Sequence, residues 1–147
     1  MMANDDSARL ARVLAWRRSE EERARQQEAA ALRHVEAARA RLRALREQLL
    51  VCRECDDASS DGAGHLIDAQ QCAARLGERA EQQQAALESA RANLQRTRQA
   101  LAEAGRRRLA VERLAGARAL RVTERKRATA QADLDESGRL RLLLEGE

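Results

Sequence analysis

Apolar positions recur in alternating steps of three and four along two long stretches of this chain. The first series is Leu10, Leu14, Arg17, Glu21, Ala24, Glu28, Ala31, Val35, Ala38, Leu42, Leu45, Leu49 and Cys52. The second is Ala73, Leu76, Ala80, Gln83, Leu87, Ala90, Leu94, Thr97, Leu101, Ala104, Arg108 and Val111. Such spacing keeps one stripe of a helix turned toward a partner helix, as in the seam of a coiled coil. Between the two series lies "CDDASSDGAGH", residues 55–65. Its Asp, Ser and Gly favour a loop, because Gly tolerates positive φ and the short polar side chains compete for backbone hydrogen bonds. The pattern predicts an all-α fold: a long two-helix antiparallel coiled-coil hairpin with a C-terminal helical overhang. Its parts are a helix over about 7–57, a turn over about 58–65 centred near Asp61 to Gly64, a helix over about 66–137 and a frayed tail to 147. Asn4, Asp5, Asp6 and Ser7 offer caps and acids suited to the start of the first helix. Gly105 and Gly116 each weaken the second by about 1 kcal/mol, and Gly138 marks its fraying.

Folding the chain back about Gly62 makes facing residue numbers add to about 125 along the hairpin. The layers are then Leu49 with Leu76, Leu45 with Ala80, Ala38 with Leu87, Val35 with Ala90, Ala31 with Leu94, Ala24 with Leu101, and Leu14 with Val111. Large residues oppose small ones in most layers, which fills a thin seam without clashes. Not every layer is apolar: Arg17 faces Arg108, Glu21 faces Ala104, and Glu28 faces Thr97. They weaken the seam toward the open end. By the same arithmetic residue 7 faces roughly residue 118, so about thirty residues have no partner in the first helix. Leu120, Val122, Leu134, Leu140, Leu142, Leu143 and Leu144 lie in that overhang. Unpaired apolar residues on a charged helix suit docking on another protein.

Composition changes the picture by removing the alternative of a globular core. The 147 residues include one Trp, no Phe, no Tyr and no Pro, and 35% are charged. Aromatic rings supply much of an ordinary core, whereas an alphabet of Ala, Glu, Arg and Leu belongs to long helices. Charge is unevenly spread. Residues 106–127 hold nine basic and two acidic side chains, a local +7, against +4 for the whole chain. No apolar run approaches the roughly 20 residues that cross a bilayer, and "MMANDDSARL" lacks the apolar region of a secretory signal. A cytoplasmic protein is expected.

Candidate chemistry is sparse. Cys52-Arg53-Glu54-Cys55 is a C-x-x-C, with His65 and Cys72 across the turn, a set that could hold zinc. The gap between His65 and Cys72 does not match the short paired spacings of structural zinc ligands. We therefore read Cys52 and Cys72 as small seam residues, Cys55 and His65 as solvated, and expect no metal. A disulfide between Cys52 and Cys72 is geometrically conceivable, and a cytoplasmic setting disfavours it. "GAG" lacks the spacing and the preceding strand of a phosphate loop. Two His and one Trp make no catalytic constellation, and two helices enclose no pocket. No enzyme activity and no cofactor are expected. The +7 segment, with Arg106, Arg107 and Arg108 adjacent, could neutralise phosphates non-specifically. Without stacking aromatics or a nucleic-acid motif, nucleic acid is not expected as a partner.

The segment "VERLAGARALRVTERKRATAQADLDE", residues 111–136, carries a resemblance. Glu112-Arg113-Leu114 followed at similar spacing by Leu134-Asp135-Glu136, on a hairpin of unequal helices, resembles the FliJ family of flagellar export proteins and its injectisome relatives, the YscO-type stalk proteins. Gln131-Ala132-Asp133 stands where many flagellar members have Gln-Lys, so the branch stays open. The resemblance implies a stalk, similar to that of rotary ATPases, in the central pore of a hexameric export ATPase. Such a stalk promotes ring assembly and links the ATPase to the membrane export gate protein; some members escort secretion chaperones. It also implies a cytoplasmic place, peripheral to the inner membrane at the export apparatus. Contact with the ATPase is expected of Arg106, Arg107, Arg108, Arg113, Arg118, Arg121, Arg125, Lys126 and Arg127, which suit pore carboxylates, together with Glu112, Leu114, Leu134, Asp135 and Glu136. The other reading is a coiled-coil chaperone escort or scaffold with no ATPase contact.

Overall fold

The computed structural model describes residues 2–58 and 62–145, with side chains over 6–54, 62 and 64–141. They form two helices, α1 (Met2–Ala58) and α2 (Ala63–Glu145), and no strand. The helices run antiparallel and meet along the seam that the periodicity marks. Every position of the two series, from Leu10 to Cys52 and from Ala73 to Val111, is buried or half-buried, apart from none. The described residues divide into two compact units, Glu21–Ala104 and Met1–Glu20 with Gly105–Glu147.

In the unit Glu21–Ala104 the core is a single cluster of Ala31, Val35, Ala38, Leu42, Leu87 and Leu94, with Ala80 and Ala90 packed against it. Those residues make up the expected layers Ala38 with Leu87, Val35 with Ala90 and Ala31 with Leu94. Val35, at 2% exposure, fills the space over a small partner, as alternating sizes require. The polar layers do not stay unpaired. Glu21 is buried and its Oε1 accepts from Arg25 Nη2 at 2.9 Å. Glu28 accepts across the seam from Arg98 Nε at 3.1 Å, and the Thr97 hydroxyl turns back to the Leu94 carbonyl at 2.9 Å. Long Arg side chains on the seam flanks thus supply what the heptad pattern alone leaves open.

The turn of this unit rests on Gly62, whose φ is +109°. Asp61, expected in the turn, lies outside the described residues, while Gly64 and His65 belong to α2. An added Cβ on Gly62 would meet nothing within 4 Å, so only the backbone opposes substitution. Gly62→Ala is expected to destabilise by about 1–2 kcal/mol. Gly77, inside α2 and equally unobstructed, should do the reverse: Gly77→Ala is expected to stabilise by about 0.5–1 kcal/mol. Urea unfolding followed by circular dichroism measures both.

In the unit of residues 1–20 and 105–147, Leu10, Leu14, Arg17, Arg108 and Val111 are half-buried. The facing arginines are neutralised on their own helices: Arg17 Nη1 donates to Glu20 at 2.7 Å and Arg108 Nη1 to Glu112 at 2.6 Å. Arg17 also stacks over Trp16, 4.5 Å from the ring centroid. One cost persists, since Arg17 Nε is buried without a partner among the described residues, a loss of about 1 kcal/mol or more. The helix α1 begins at Met2, so Asp6 lies within it, and the side chains of Asn4 and Asp5 are outside the described set. Past Ala115 every described side chain to Arg141 is exposed; Arg118 still pairs with Asp6 of α1, and beyond that pair α2 outruns its partner. α2 passes through Gly105, Gly116 and Gly138 and reaches Glu145, beyond the boundary near 137 that Gly138 suggests. One glycine costs a helix about 1 kcal/mol, too little to end one flanked by Arg, Leu and Glu.

Candidate functional site

The residues expected to meet a partner all lie on α2 between Arg106 and Glu136, and the structure sorts them into two groups. The first is engaged within the chain. Glu112 is a clamp, accepting from Arg108 at 2.6 Å on its own helix and from Arg18 Nη2 at 3.2 Å on α1. Arg118 donates to Asp6 across the helices at 2.5 Å. Arg107, like Arg108, takes part in further contacts within the chain. These groups hold the two helices in register: 6 and 118 sum close to the value that the seam requires.

The second group faces solvent. Arg106, Arg113, Arg121, Arg125, Lys126 and Arg127 are exposed, and none forms a salt bridge with a described residue. Between and beyond them stand Leu114 at 63% exposure, Leu120 at 65% and Leu134 at 66%. Asp135 accepts from Gln131 at 3.0 Å and Glu136 is exposed. Leu142, Leu143 and Leu144 have side chains outside the described set. A helix turns about 100° per residue, so Arg125, Lys126 and Arg127 point to three different sides. The basic and apolar groups are accordingly spread around the helix, and no single face carries them.

Sequence reasoning placed Glu112, Arg108 and Arg118 among the partner contacts and missed the pairing of Glu112 with Arg18 and of Arg118 with Asp6 on α1. The register held the signal, since it sets Asp6 nearly opposite Arg118; choosing Glu112 for Arg18 depends on side-chain reach that periodicity does not encode. The two guanidinium groups beside Glu112 hold its carboxyl below the ordinary 4.5, with the hydrogen bond from Arg108 the larger cause. A depressed carboxylate stabilises the folded chain above the unfolded-state value and loses that contribution as pH falls through the folded one. Wild type should therefore melt above Glu112→Gln at neutral pH, with the gap closing as pH falls below the ordinary carboxylate range and through the lowered folded-state value. Thermal midpoints of both proteins followed from neutral to acid pH measure it.

Within the unit Glu21–Ala104, Cys52 Sγ and Cys72 Sγ lie 3.7 Å apart. The Cys55 side chain is outside the described set, and His65 is exposed. Among the described residues no group of three or more His, Cys, Asp or Glu side chains comes together as metal ligands. No helix among them is long and apolar enough to cross a membrane.

The family model described as Flagellar FliJ protein matches residues 6–145, nearly the full span of both helices. The chain belongs to the FliJ family. The match takes in the seam, the turn and the exposed run beyond Ala115, so the FliJ assignment rests on more than the short steps Glu112-Arg113-Leu114 and Leu134-Asp135-Glu136. It associates the chain with flagellar, type III-class protein export. Comparison with curated proteins and with solved structures returned no match.

Proposed function

We propose that this FliJ-family chain is the central stalk of a type III export ATPase, seated in the pore of the hexamer through the run beyond Ala115 and coupling the ring to the membrane export gate. The observation that carries this reading is the distribution of exposed groups on that run. A helix docking on a flat surface needs one adhesive face. Here Arg121, Arg125, Lys126 and Arg127 surround the axis and exposed leucines lie among them, which suits a partner that encloses the helix. Guanidinium groups pair with carboxylates in fork geometry, so acidic pore loops fit this surface.

The flagellar branch is favoured by the description of the matching family. The protein acts without catalysis of its own, in the cytoplasm at the membrane base of the export apparatus. Its place is tested by mixing the purified chain with the hexameric export ATPase at low salt. Co-elution and a changed rate of ATP hydrolysis are expected; an unchanged rate with no co-elution leaves the scaffold or chaperone-escort reading instead.

A further inference from the structure

We propose that Cys52 and Cys72 are an oxidation site, a dithiol that closes to a disulfide joining α1 to α2 beside the turn. The proposal does not depend on the stalk reading, and in a cytoplasm, which disfavours a permanent bond here, the disulfide is a transient, redox-responsive one. Three observations support it. The turn end of the hairpin brings the two residues side by side: their numbers add to 124, one short of the layers of the same unit, so Cys72 lies on the flank of the seam next to Ala73, which the register sets opposite Cys52. Their sulfurs are already 3.7 Å apart, about 1.7 Å more than the roughly 2.05 Å of a disulfide. Cys72 is exposed and Cys52 half-buried, so a small oxidant reaches them, unlike thiols sealed in a core. The recess around them is lined by Ala44, Val51 and Leu76 among others, with short or flexible side chains that leave room for the shift.

The oxidant is a small-molecule disulfide of the glutathione class. The thiolate of one cysteine attacks a sulfur of glutathione disulfide, forming a mixed disulfide and releasing one glutathione thiolate, which takes up a proton. The second cysteine then loses its proton and attacks the protein sulfur of the mixed disulfide, releasing the second glutathione. The two cysteine sulfurs together give up two electrons and two protons; glutathione disulfide is reduced to two thiols. The second step is intramolecular, because the seam holds the partner sulfur within reach, and so it outpaces a second adduct. The product closes a span of 20 residues containing Gly62, and restrains the unfolded chain more than the folded one.

The test treats the reduced full-length chain with glutathione disulfide. The intact mass should fall by two hydrogens with no glutathione added, and cleavage at Asp residues should leave the Cys72 peptide joined to the Cys52 peptide. Cys55→Ser should behave the same, while Cys52→Ser and Cys72→Ser should stop at glutathione adducts or unpaired thiols. The oxidised chain should melt roughly 5–10 °C higher, and dithiothreitol should abolish the gain. A bond between Cys52 and Cys55, only intermolecular dimers, or stable double adducts on the wild type would overturn the proposal. If Cys55→Ser does not fold, the Asp-cleaved peptides of the wild type still exclude a bond between Cys52 and Cys55, and their fragmentation reads which sulfur Cys72 holds.

Discussion

Replacing Arg113, Arg121 and Arg125 together by Glu should weaken binding to the hexameric export ATPase by about 100-fold. Each reversal exchanges an attraction for a repulsion worth about 1 kcal/mol at a partly desolvated contact, and about 1.4 kcal/mol is tenfold in affinity. All three side chains are exposed and form no salt bridge with a described residue, so helicity and melting should stay near wild type. The matched control is Arg39, Arg41 and Arg43 to Glu, three exposed arginines on α1 that carry the same change in net charge. That variant should bind within about threefold of wild type, since charge away from a contact acts mainly through screened long-range steering. Affinity measured by titration calorimetry separates the two. Equal losses would mean that net charge, not the run beyond Ala115, governs association. Arg107 is left out of the trio because it already makes contacts within the chain.

Leu87→Ala should lower the thermal midpoint by roughly 5–15 °C, the second large effect, corresponding to a loss of about 2–4 kcal/mol. Leu87 is 3% exposed and packs in the cluster with Ala31, Val35, Ala38, Leu42 and Leu94. Its layer sets it against Ala38, so truncation leaves alanine facing alanine. Val35 and Leu42, the seam neighbours of Ala38 on α1, already pack in the same cluster, so they can fill the gap only by giving up contacts of their own. Leu134→Ala is the comparison: at 66% exposure its loss should stay within about 0.5 kcal/mol. A comparable penalty at Leu134 would show that the run beyond Ala115 is covered in solution, for instance by a second copy of the chain.

Those two leucines also mark what could be read from the sequence. The seam was legible residue by residue because a heptad repeat fixes which positions face a partner, and the size alternation fixes the register; Leu87 over Ala38 follows from both. The end of pairing near residue 118 was legible too, from the register that sets residue 7 opposite it, and Arg118 meets Asp6 there. The ion pairs were not. Arg17 opposite Arg108 reads as a repulsive layer, yet Glu20 and Glu112 neutralise each arginine on its own helix. Arg and Glu reach several residues along and across a helix pair, so periodicity narrows the candidates without choosing one. The same limit hid the clasp of Arg18 and Arg108 on Glu112, a pairing between and along the two helices that the expected partner role did not include.

Native mass spectrometry of the chain mixed with the hexameric export ATPase tests the central claim most directly, because a pore has room for one stalk. One chain per six ATPase subunits is the expected composition, unchanged when the chain is in excess. A complex with one chain on every subunit, or a ring that forms with no chain retained, would contradict a stalk in the pore.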